Sequence, residues 1–134
     1  MYLSLLKENE KELFIGLAYD LASTDGDYSN EEKVIINGYC QEMKIIFDEK
    51  NMIKAVEDIV DEITKKSDDQ IKKIIIFELI GLAMVDGNYD ENERVLIKQI
   101  EEKFMVGNGF ADKCEGVISE YIAFQSKINQ LVLG

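Results

Sequence analysis

The chain has 134 residues, 46% of them hydrophobic and 31% charged, which fits one domain burying roughly 65–70% of its unfolded surface and lies outside the disordered class. Fifteen Lys and Arg against twenty-seven Asp and Glu leave a net charge of -12. That field either serves solubility alone or attracts metal cations and basic proteins; it excludes nucleic acid and anionic lipid surfaces as natural partners.

Proline is absent, so helices can run uninterrupted wherever apolar residues recur every three or four positions. Tyr2 to Leu6 is either a separate short helix or the start of the first long one. Leu13, Phe14, Leu17, Ala18, Leu21 and Ala22 have helical spacing, and Asp25-Gly26 closes that helix, glycine being able to take the left-handed conformation. Ser29 and Glu32 have the spacing of a capping box that opens a second helix. It is expected to run to about Ile46 with Val34, Ile35, Tyr39, Met43 and Ile46 inward. A third helix, from Met52 through Val56, Ile59, Val60 and Ile63, stops near Ser67. Ser67 and Gln70 suggest a further capping box for a very apolar fourth helix through Ile71, Ile74, Ile75, Leu79 and Leu82, which should be central. Asp86-Gly87 ends it, Asp90 and Glu93 open the fifth, and Val95, Leu96, Ile100 and Phe104 form its expected inner face. After the break at Gly107-Asn108-Gly109, residues Val117, Ile118, Tyr121, Ile122 and Ile128 mark a last helix expected to pack across the bundle. Nothing reads as a sheet. The expectation is an all-α single compact bundle of six to seven helices, one domain over 1–134.

Within it one statement is made twice. Leu21-Ala22-Ser23-Thr24-Asp25-Gly26-Asp27-Tyr28-Ser29-Asn30-Glu31-Glu32-Lys33-Val34 returns sixty-one residues later as Leu82-Ala83-Met84-Val85-Asp86-Gly87-Asn88-Tyr89-Asp90-Glu91-Asn92-Glu93-Arg94-Val95. The spacing defines repeat units of about 13–46 and 74–104, each a helix, an acidic turn and a helix. Asp-Gly-x-Tyr-x-x-x-Glu invites comparison with the second half of an EF-hand loop. The first ligand positions of such a loop would be Leu21 and Leu82, however, and its third positions Ser23 and Met84, so each copy holds only half a calcium loop.

Two copies of Ala-x-x-Asp-Gly-x-Tyr-x-x-x-Glu, starting at Ala22 and Ala83, resemble the TerB-like family, the tellurite-resistance-associated helical domain related to the N-terminal region of DjlA-type co-chaperones. The resemblance runs from about Leu13 to Ile128. It implies an all-helical domain whose acidic residues gather into a surface that binds divalent cations, calcium or similar, and a link to tellurite resistance or stress response. Carried over residue by residue, Asp25 and Glu32 match the first signature, and Asp86 and Glu93 the second. Asp27 faces Asn88 in the comparison of copies and Asp90 faces Ser29, so these two positions are not shared by both turns.

The same residues have a purely structural reading. Gly26 and Gly87 can be C-caps, Ser29 and Asp90 N-caps, and Glu32 and Glu93 their capping-box partners. Asp25 and Asp86 fit that reading less well, because an acid at a helix C-terminus opposes the macrodipole. Two functions follow: a cation-binding domain, or an interaction module that docks a basic partner protein through its acidic face.

Catalysis is not indicated: there is no histidine, hence no Ser/His/Asp or Cys/His set, and no phosphate-cradling glycine loop. Cys40 and Cys114 match no metal or redox spacing and read as buried thiols, a disulfide between them remaining open. No signal peptide is evident and no apolar segment approaches the ~20 residues of a membrane span, so the expected location is the cytoplasm. Neither the partner nor an oligomeric state is legible.

Overall fold

The computed structural model describes residues 1–24, 29–48, 54–85 and 89–134. A short 3-10 helix, Leu3–Leu5, precedes α1 (Glu8–Ala22), α2 (Asn30–Met43), α3 (Val56–Lys66), α4 (Asp69–Met84), α5 (Glu91–Phe104) and α6 (Phe110–Leu133). No strand occurs among the described residues. The N-terminal stretch is thus a separate helical turn, and the all-α expectation holds.

The core is built on the most apolar element. α4 buries ten of its residues, from Ile71 to Ala83, and packs against α1, α2, α5 and α6. Leu13, Phe14, Leu17, Ala18, Leu21 and Ala22 of α1 are all buried, as their spacing requires. α1 and α4 start side by side: the Ser67 hydroxyl, just ahead of α4, donates to Glu10 Oε2 of α1 at 2.6 Å. Glu10 also accepts from the Lys7 amide at 2.7 Å, so this buried carboxylate caps its own helix and ties it to the next repeat. Ser67 therefore does not cap α4. Asp68 does, accepting from the Ile71 amide at 2.9 Å.

α2 and α5 are the same element in two copies. Each has fourteen residues and ends on a left-handed non-glycine residue, Lys44 (φ 58°) and Met105 (φ 57°). At the first, the Ile45 amide reaches the Cys40 carbonyl and the Lys44 amide the Gln41 carbonyl, the bond pair of a Schellman motif. Helix α2 thus stops at Met43 rather than Ile46, and Ile46 is exposed. Its inward residues are Glu32, Ile36, Cys40 and Met43, while Val34 faces solvent. In α5 they are Glu93, Ile97, Ile100 and Phe104, with Val95 exposed. Met43, Ile100 and Phe104 are buried as expected and Ile35, Tyr39 and Leu96 pack against the core, so the departure is at Val34 and Val95, where a buried capping glutamate two residues earlier takes the inward place. α3 begins at Val56; the expected start at Met52 lies outside the described residues.

The last helix departs most from expectation. Its first half packs through Ala111, Cys114 and Ile118, but every residue from Ser119 onward is exposed. Val117, Tyr121, Ile122 and Ile128 face solvent rather than crossing the bundle.

Candidate functional site

Each acidic turn leads into a helix through a reciprocal capping box. The Glu32 amide donates to Ser29 Oγ at 3.1 Å and the Ser29 amide to Glu32 Oε1 at 3.1 Å. Sixty-one residues on, the Glu93 amide donates to Asp90 Oδ1 at 2.8 Å and the Asp90 amide to Glu93 Oε1 at 3.2 Å. Both glutamates are buried, 5% and 4% exposed, and each bond satisfies a backbone donor that a helix start would otherwise leave orphaned. The expected roles of Ser29, Glu32, Asp90 and Glu93 as caps are thus realised.

Of the other expected ligands, Asp25, Asp27 and Asp86 lie outside the described residues, as do the C-cap roles expected of Gly26 and Gly87. Among the described residues no three carboxylates or thiols gather as a metal-holding cluster. The segments that flank the second turn border a groove: Met84 and Val85 at the end of α4 and Tyr89 beside Asp90 line a space of about 860 Å³, with Ile35 of α2 on its far side.

That groove contains two features the repeat pattern does not announce. Arg94 donates to Glu115 of α6 at 2.7 Å and lies over the Tyr89 ring at 4.2 Å, a cation–π stack that clamps the second turn against α6. Burial and then the Glu115 charge push the Tyr89 hydroxyl up to about 12, Arg94 opposing. The second feature is Glu78, buried in the middle of α4, whose Oε1 accepts from the N-terminal ammonium at 3.1 Å and the Tyr2 amide at 3.3 Å. Tyr39 donates to the Glu78 carbonyl at 2.9 Å and stacks edge-on with Phe14. The signal for Glu78 was present in the sequence as the one charge interrupting Ile74 to Val85, but its partner is seventy-seven residues away.

Both thiols are buried and unbridged. Burial raises Cys40, and burial followed by the Glu101 charge pushes Cys114 up to about 11, so both are protonated, weakly nucleophilic thiols at neutral pH.

Among the described residues six α-helices, with α1 and α2 returning sixty-one residues later as α4 and α5, make an all-α fold. A solved structure of a tellurite resistance protein from Nostoc punctiforme has the same architecture, with a TM-score of 0.68 over 97% of this chain and 84% of that one at 17% identity. No protein-family model and no curated protein matches the sequence. At that identity the likeness establishes the fold. No helix among the described residues is long and apolar enough to cross a membrane.

Proposed function

We propose that this chain is an acidic TerB-like domain that binds a divalent cation, calcium or similar, through its two Asp-Gly-x-Tyr-x-x-x-Glu turns, and that it acts in tellurite resistance or a related stress response. The observation that carries the reading is the duplication of a costly arrangement. Caps account for Glu32 and Glu93, yet Asp25 and Asp86 each follow closely in sequence on the last residue of a helix, Ala22 and Met84, where a negative charge is unfavourable without compensation. Hard carboxylate oxygens are what a calcium-like ion selects. In this reading Asp25 and Asp86 supply the principal ligands, Glu32 and Glu93 contribute from the capping boxes, and Asp27 and Asp90 add charge. The tellurite resistance protein of the same fold supports the physiological setting.

The test is a thermal melt of chelator-treated protein with millimolar calcium, against sodium at matched ionic strength. A cation at ~100 times its dissociation constant stabilises the native state by about 2.7 kcal/mol. The rise in Tm is expected in the unaltered chain and largely lost in the Glu32→Gln/Glu93→Gln double variant. No rise, or an equal rise in both, refutes the site.

A second reading, an interaction module for a basic protein, is favoured by the charge of -12. It predicts partner capture that falls steeply between low and moderate salt.

A further inference from the structure

The exposed half of α6 has a periodicity and a charge pattern of its own. Val117, Tyr121, Phe124, Ile128 and Leu131 alternate spacings of four and three, and are 58%, 54%, 63%, 43% and 85% exposed. Phe110 and Cys114 extend the same spacing inward, where they line an apolar pocket of about 570 Å³ between α6 and α4. This is the a/d seam of a coiled coil carried over three heptads. The chain as a whole is strongly acidic, but residues 117–133 contain one acid, Glu120, and one base, Lys127, so this surface is neutral.

We infer that α6 pairs with α6 of a second copy as an antiparallel, two-fold helix pair. A seam of this kind must be buried against something, and the charges select the partner. In an antiparallel pair, a positions meet d positions, which sets Tyr121 against Phe124 and Val117 against Ile128 of the second copy. The same register brings Glu120 beside Lys127 of the second copy, twice by symmetry, because both occupy the g position that flanks the seam. It also places Leu131 of each copy against Cys114 of the other, at the mouth of the apolar pocket. A parallel pair would instead set Glu120 against Gln125 and Lys127 against Val132, with no ion pair.

The area is sufficient. With roughly 150–220 Å² for each large side chain in full, the five seam residues present about 550 Å². Flanking residues bring the patch to about 800 Å² per copy, the share of one partner in a standard stable interface. Neutrality matters as much, since contact through any acidic face would set like charges together.

Sedimentation of the intact chain tests this. At about 100 µM and moderate salt the unaltered protein should sediment as a dimer. Phe124→Glu, at an exposed position that leaves the fold intact by circular dichroism, should weaken association by tenfold or more. Glu120→Lys and Lys127→Glu should each weaken it severalfold by creating like-charge pairs, and the Glu120→Lys/Lys127→Glu double variant should restore it. A monomeric unaltered chain, which would leave the seam to a different partner, overturns the proposal. So does a dimer indifferent to Phe124→Glu, or one that the double reversal fails to rescue.

Discussion

Replacing Glu32 and Glu93 by alanine and by glutamine separates the capping function of these residues from any other. In each turn the carboxylate Oε1 accepts the N-cap amide, at 3.1 Å from Ser29 and 3.2 Å from Asp90. Alanine removes that acceptor beside a buried position and deletes an acid in the first helical turn. Caps are worth about 0.5–2 kcal/mol, and the charge near the helix start adds about 0.3–1 kcal/mol. Each alanine variant should therefore lose about 1.5–2 kcal/mol, and the double variant about 3 kcal/mol if the two turns act independently. For a chain of this length that lowers Tm by about 10 °C. Glutamine keeps an oxygen in the same place and sacrifices only the charge, so each glutamine variant should lose no more than the about 0.3–1 kcal/mol that the charge contributes. Chemical denaturation in chelator-containing buffer, with Tm by circular dichroism, reads both series. If glutamine costs as much as alanine without metal, the carboxylates do more in the apo fold than the capping geometry accounts for, and the reasoning fails.

The left-handed residues Lys44 and Met105 carry a steric cost of about 1–2 kcal/mol each that glycine avoids; Met105→Gly, at an exposed C-cap, should raise Tm by about 3 °C despite glycine's greater unfolded-state entropy. Ser67→Ala strands the buried Glu10 Oε2 and should cost about 1–3 kcal/mol in urea denaturation, whereas Gln70→Ala should cost little. The N-terminal amine is pulled down by burial, but its hydrogen bonds to Glu42 and Glu78 outweigh this and leave its pKa raised from 8.0. Its stabilisation is thus present below pH 8 and lost as pH rises through the higher folded value; acetylating the amine should remove that part of the pH dependence, and a parallel loss in both forms would contradict it. A thiol reagent at pH 7.5 should label Cys40 and Cys114 far more slowly than a thiol in unfolded chain.

Most of the fold was legible because hydrophobic spacing, capping boxes and the repeat agreed with one another. The six helices, the central position of α4 and the buried face of α1 all followed from those signals. The missed details share a cause: apolar residues alone define a stripe, and they cannot show that a polar residue belongs inside it. Glu32 and Glu93 are buried to cap, and Val34 and Val95, two residues further on, are left exposed. Glu10 is buried to accept from Ser67, which left the capping of α4 to Asp68. In α6 the apolar pattern was read correctly as helical and, at Ile118, as core, but Val117, Tyr121, Ile122 and Ile128 are exposed, since periodicity alone does not show which turns of a helix its own chain covers. The clamp joins Arg94 of α5 to Glu115 of α6 through tertiary contact, with Tyr89 just ahead of α5 beneath it, so no local spacing announced the ion pair. The cap roles of Ser29, Glu32, Asp90 and Glu93 were legible down to the atom that accepts each bond.

Calcium titrated calorimetrically into metal-stripped protein tests the central claim most directly. The account predicts saturable heat for the unaltered chain at up to millimolar ion, and its loss in an Asp25→Asn/Asp86→Asn variant whose melting in chelator is no lower than that of the parent, since removing an acid after each helix relieves the dipole. Absence of saturable heat in the unaltered chain, or identical heat in the variant, would show that the paired turns are helix connections and nothing more.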